Sequence, residues 1–83
     1  MSMVFTNSEK KAMYEARYIG RTVRLTAPIE DPYGASKPTG ARFKVEMIDD
    51  ALQMHGYWLP PETGSIAIDI EHDSFEVVSD EEN

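Results

Sequence analysis

Apolar positions fall at helical spacing near the start of the chain and at alternating spacing after it. Over residues 7–19, Ala12, Met13, Ala16 and Ile19 lie near one face, with Lys10, Lys11 and Arg17 elsewhere. Thr6 followed three residues later by Glu9 has the spacing of a capping box, and Gly20 is placed to end the helix. A lone helix of this length is marginal in water, so its apolar face has to dock on something, and the sheet that follows is the simplest dock.

Beyond Gly20 the period becomes two. Val23 and Leu25 share one face and Arg24 takes the other. Over residues 41–47, Phe43, Val45 and Met47 point inward, and Arg42, Lys44 and Glu46 point outward. Asp49 and Asp50 make a turn, after which residues 52–58 return as the partner strand. Leu52, Met54 and Trp58 face in, Tyr57 faces out, and Gly56 marks a bulge or a close backbone approach. Residues 65–70 give the clearest strand, with Ile66, Ile68 and Ile70 inward. Glu71-His72-Asp73-Ser74 turns the chain, and residues 75–78 form a short closing strand. Residues 27–40 hold Pro28, Pro32, Gly34, Pro38 and Gly40, which predicts a long irregular loop; in so small a domain such a loop is more often functional than idle.

Five short strands with one apolar face each have to bury those faces on one another, and curling into a small barrel removes most open edges. The expected fold is mainly β: a small five-stranded SH3-like barrel with one N-terminal α-helix over an opening. An open antiparallel sheet crossed by the helix is the alternative. The 83 residues hold one domain, read as a flexible N-terminus at 1–6, a helix-plus-barrel at 7–78 and a disordered acidic tail at 79–83. A chain this short buries roughly 60 % of its unfolded surface, and with no cysteine it has no disulfide to supplement the core. The small core and weak edges leave room for a homodimer.

Several short pieces resemble one family. Gly20-x-x-Val23-x-Leu25, Asp31-Pro32-Tyr33, Lys37-Pro38-x-Gly40, Ile48-Asp49-Asp50, Tyr57-Trp58 and Asp73-Ser74-Phe75 are similar to a family of short SH3-like barrel domains of unknown function found in phages, prophages and other mobile elements. The resemblance spans about residues 20–78. The chain departs from the pattern at Gly40-Ala41-Arg42-Phe43, and at Leu59-Pro60-Pro61, where an acid and a glycine are usual. The family has no established activity, so the resemblance implies an origin and a fold.

Charge narrows the functional classes. Residues 1–44 hold all 8 Lys and Arg and only 4 of the 15 acids, whereas residues 45–83 hold the other 11 acids and no Lys or Arg. The bland reading is that acids keep a small β-protein soluble and discourage edge pairing. The functional reading is an acidic face for a basic partner, formed by Glu46, Asp49, Asp50, Asp69, Glu71, Asp73 and Glu76, with Tyr33 and Tyr57 as aromatic contacts. Alternation sets Asp69, Glu71 and Asp73 on the outer face of one strand and its turn. The expected partner is a host or phage protein with a basic, nucleic-acid-handling surface. Arg24, Arg42 and Lys44 share an outer face and offer a nucleic-acid alternative, against which stands the net charge of −7. A structural or self-assembling role, or a peptide groove lined by Tyr33, Tyr57 and Trp58, is the third reading; Trp58 is read first as core. His55 and His72 lack the spacing of a metal pair, and no Gly-rich phosphate loop or nucleophile–base set is present in the sequence, so no enzyme, metal or cofactor is expected. The start of the chain is too polar for a signal peptide and no run approaches a membrane span; the expected location is the cytoplasm.

Overall fold

The computed structural model describes residues 5–78. The sequence-expected acidic tail and all but the last two residues of the expected flexible N-terminus lie outside that range. Helix α1 (Asn7–Tyr18) is followed by β1 (Thr22–Leu25), β2 (Arg42–Ile48), β3 (Gln53–Trp58), β4 (Ile68–Asp69) and β5 (Phe75–Val77). The strands form one antiparallel sheet in the order β4-β3-β2-β1-β5. The fold is therefore mainly β, with one helix. No pairing joins the edge strands β4 and β5, so the sheet is open.

The start of α1 follows the expected chemistry. Glu9 N–H donates to Thr6 Oγ1 at 3.1 Å and Thr6 N–H donates to Glu9 Oε1 at 2.9 Å, closing the capping box. Ile19 caps the other end, and Gly20 at φ +85° turns the chain toward β1. The docked face differs from the expected one. Tyr18 is buried and Lys10, Lys11 and Tyr14 are half-buried, whereas Ala12, Met13, Ala16 and Ile19 are exposed. The tyrosine rings bring more contact area than alanines do, and lysine stems cover apolar surface while their heads reach acids. Tyr18 meets Phe75 edge-on at 5.3 Å between ring centroids and stacks on Tyr14 at 5.9 Å.

Core positions on β1, β3 and the first half of β2 alternate as expected: Val23, Leu25, Phe43, Val45, Met54 and Trp58 are buried. Met47 departs from that pattern and is 51 % exposed, while Ile48 is buried. Val45 pairs with Gly56 but Met47 pairs with His55, so Glu46 is an extra residue, a β-bulge that reverses the parity of β2. Gly56 is required opposite it. A Cβ there would collide with the Lys44 carbonyl oxygen and stand 3.2 Å from Glu46 N. Leu52 is buried as expected, though in the turn rather than in β3. The strand expected over 65–70 is reduced to Ile68–Asp69, with Ile68 buried and Ile66 and Ile70 packed at its margin. The closing strand ends at Val77, which is exposed, and Val78 is buried.

The 27–40 loop is more ordered than its composition predicts. Ile29 and Lys37 pair as a β-bridge, each N–H donating to the other's carbonyl at 2.9 Å. Asp31 holds the enclosed segment: its Oδ2 accepts from Ala35 N–H at 2.9 Å, and its own N–H donates to Ser36 Oγ at 2.8 Å. Lys37 is buried, its ammonium donating to Ala35 O at 3.1 Å and lying 5.5 Å from the Trp58 ring centroid. Trp58 Nε1–H in turn donates to Ile66 O at 3.0 Å, so Trp58 is a core residue with its polar edge satisfied.

Gly56→Ala is expected to destabilise by about 2–4 kcal/mol, because backbone atoms have to move, lowering Tm by roughly 10–20 °C. Gly34→Ala, at φ +91° but with nothing within 4 Å of the added Cβ, is expected to cost only about 1–2 kcal/mol. Thermal melts followed by circular dichroism compare the two; a Gly56→Ala melt within two degrees or so of wild type would refute the close approach.

Candidate functional site

Two turns lie side by side at one end of the sheet. In the β2–β3 turn, Asp49 Oδ1 accepts from Ala51 N–H and Gln53 N–H, both at 2.9 Å, and Leu52 N–H donates to Asp49 O at 3.0 Å. The turn places Leu52 at φ +61°, a left-handed position that glycine or asparagine usually fills. Its side chain is 2 % exposed, and this burial offsets the strain. In the β4–β5 turn, Asp69 N–H donates to Asp73 Oδ2 at 2.8 Å and Asp73 N–H returns to Asp69 O at 2.8 Å. The turns are tied to each other by the Gln53–Asp69 register and by Ile70 N–H donating to Leu52 O at 3.1 Å.

This pairing brings Asp49, Asp50, Asp69, Glu71 and Asp73 to one end of the molecule. The expectation that Asp69, Glu71 and Asp73 form a row on the outer face of a strand is not met. Only Asp69 lies in a strand, because the chain leaves β4 there and Asp69 and Asp73 close the turn on each other. Each histidine of the chain leans on one of these acids. His55 Nε2–H donates to Asp49 Oδ2 at 2.7 Å, and His72 Nδ1–H donates to Asp69 Oδ2 at 2.9 Å.

Helix α1 supplies the opposing charge. Lys10 Nζ lies 3.1 Å from Glu71 Oε2, which also accepts from Tyr14 OH at 3.4 Å, and Lys11 Nζ lies 2.8 Å from Asp50 Oδ1. The Asp50 side chain is nonetheless 96 % exposed. Lys10, Tyr14 and Tyr18 recur every fourth residue, a signal present in the sequence but outweighed there by the alkyl residues on the other face.

The remaining expected contacts lie elsewhere. Glu76 is on β5, where its carboxylate accepts from Arg24 Nη2 at 2.7 Å and Nε at 3.0 Å. Glu46 is exposed at the bulge. Tyr57 is 48 % exposed beside Lys44, its register partner on β2. Tyr33 sits in the Asp31-braced loop and is 93 % exposed, so it does not pack beneath that loop. With Trp58 in the core, the three aromatics do not form one groove. Arg24 and Arg42 are neighbours across β1 and β2, as expected, but Arg24 is engaged by Glu76 and Lys44 donates to Gly20 O at 2.7 Å. A cleft of about 250 Å³ opens beside Arg42, between residues 38–42 and 59–62. Among the described residues, no three His, Cys, Asp or Glu side chains converge as a metal site needs, and no helix is long and apolar enough to cross a membrane.

The hydrogen bond from His55 and those from Gln53 and Ala51 N–H hold the Asp49 carboxyl below its usual range. Because its folded pKa is depressed, Asp49 contributes stability that is present above the unfolded value of about 3.9 and lost as pH falls through the lower folded value. Urea melts from pH 7 to pH 2 are expected to show a wild-type advantage over Asp49→Asn that is full at neutral pH and closes in acid below about pH 4. An advantage that stays constant to pH 2 would contradict the ionic role. No protein-family profile matches the chain, and no curated protein or solved structure matches it either.

Proposed function

We propose that the chain is a non-enzymatic interaction module, an SH3-like barrel of mobile-element type, that binds a basic protein through its acidic end. The supporting observation is the side-by-side placement of the two turns, which gathers five carboxylates against only two lysines. Carboxylates held close at a molecular end create a field that steers and orients a cationic partner. A nucleic-acid-handling protein of the host cytoplasm, or of the element itself, presents such a surface. For the barrel, support comes from β1 lying between β2 and β5, which pairs the first and last of the described strands within one sheet. The basic outer face is the weaker alternative, because Arg24 and Lys44 have partners within the fold.

The testing variants must spare the carboxylates that build the turns, which excludes Asp49, Asp69 and Asp73. Asp50→Asn with Glu71→Gln removes two charges from the acidic end, and Glu30→Gln removes one from the 27–40 loop. In pull-downs from host lysate, a basic protein retained by wild type and by Glu30→Gln is expected to be lost with the double variant. Its affinity is expected to fall by about tenfold or more between 0.1 and 0.5 M salt. A partner held equally by all three proteins, or insensitive to salt, would refute the acidic end as the binding surface.

A further inference from the structure

The side of α1 that docks leaves a second surface unexplained. Ala12, Met13, Ala16 and Ile19 are all exposed, Met13 by 44 % and Ile19 by 42 %. At 3.6 residues per turn they form one stripe, continued toward the helix start by Ser8, on the side away from Lys10, Tyr14 and Tyr18. Phe5, just before the cap, is also 41 % exposed. Solvent-facing positions of a helix ordinarily carry polar residues, so four apolar side chains in register there need an occupant.

We propose that the stripe packs against the same stripe of a second copy of this chain, the two α1 helices running antiparallel about a two-fold axis near Ala12 and Met13. The pattern itself selects a copy. The midpoint of Asn7–Tyr18 falls between Ala12 and Met13, and the stripe has small residues toward both sides of it, Ser8 and Ala16, with large apolar residues, Phe5 and Ile19, beyond them. A two-fold axis at that point sets Ile19 of one copy at the helix start of the other and lets the helix axes approach closely over Ala12 and Ala16.

Charge selects the direction. Glu9 and Arg17 stand one turn to either side of Met13 along the helix, Glu9 within the stripe between Ala16 and Met13 and Arg17 just beyond Met13. Antiparallel packing places Glu9 of each copy against Arg17 of the other, whereas parallel packing would oppose like charges. The Glu9 carboxyl is held below its usual range by its hydrogen bonds to Thr6, so it is anionic at neutral pH. The helix of 12 residues is only about 18 Å long. The contact is accordingly smaller than the roughly 800 Å² per partner of a standard interface, and the association is a weak one. It is independent of the acidic-end reading, and it would give the assembly two acidic ends.

Sedimentation equilibrium from about 10 μM to 1 mM is expected to show a monomer–dimer equilibrium. Ala16→Glu is expected to weaken it by about tenfold or more, since it places a carboxylate inside the contact, one turn from the axis and facing Glu9 of the other copy, while the circular dichroism spectrum and Tm stay those of wild type. Arg17→Glu is expected to weaken it as well. The absence of native cysteine lets single substitutions report the direction. Under mild oxidation Ala12→Cys is expected to give a covalent dimer. Ile19→Cys alone is expected not to, but to couple to Phe5→Cys when the two are mixed. A chain that stays monomeric at 1 mM, or a dimer indifferent to Ala16→Glu, would overturn the proposal; an Ile19→Cys protein that couples to itself as readily as Ala12→Cys does would overturn the antiparallel arrangement.

Discussion

Because Glu46 is one residue too many for β3, the whole end of the β2–β3 hairpin is set differently from its beginning. Before the bulge the odd positions Phe43 and Val45 face the core; after it Ile48 does, opposite Met54. The strand can absorb the extra residue only because Gly56 has no side chain to meet the Lys44 carbonyl. With Ile48 turned inward, Asp49 begins the turn from the position at which its carboxylate can take the Ala51 and Gln53 N–H groups. Leu52 then drops into the core from a left-handed backbone, and its carbonyl is free to receive Ile70 N–H from the neighbouring turn. The acidic end of the molecule is thus a consequence of a register shift several residues away.

That end also accounts for part of the charge asymmetry along the chain. The basic first half folds back on the acidic second half: Lys10 on Glu71, Lys11 on Asp50 and Arg24 on Glu76 each join residues from opposite sides of position 44. Each such exposed pair is worth at most about 1 kcal/mol and is screened by salt. Their combined effect is orientation. The two that involve Lys10 and Lys11 specify which side of α1 meets the body of the protein, where Tyr14 and Tyr18 then supply the buried area.

The sequence carried the elements that depend on local chemistry. Thr6 and Glu9 announce the start of the helix, Gly20 its end, and the alternation around Phe43 and Met54 two central strands with their faces assigned. Gly56 announces a bulge or a close approach, but nothing local tells how the bulge is built, so simple parity places Met47 in the core. The helix face differs from expectation for a related reason: hydrophobicity favours Met13 and Ile19, whereas the docked side is the one where Tyr14 and Tyr18 bring contact area and Lys10 and Lys11 reach acids some 40 to 60 residues away in the chain. Of the candidate site, the grouping of Asp49 and Asp50 with Asp69, Glu71 and Asp73 was legible as an acidic half. Their construction was not, since Asp69 and Asp73 are written in the sequence as exposed carboxylates and used in the structure as turn-builders.

The helix is therefore the element on which both surfaces depend. A basic partner that approaches Asp50 and Glu71 meets carboxylates already facing Lys11 and Lys10. Exchanging those lysines for a partner's cations replaces one set of ion pairs by another, so the Coulombic terms nearly cancel. The balance passes to what the exchange does to Tyr18, which leaves the core if α1 lifts away, and to Tyr14, which leaves its margin. Contact through Asp50 alone, whose side chain is almost fully exposed, leaves that packing intact. Contact that demands Glu71 as well does not, because Glu71 accepts from both Lys10 and Tyr14. The acidic end accordingly presents two grades of carboxylate, an open one at Asp50 and a guarded one at Glu71, with the aromatic packing of α1 setting the threshold between them.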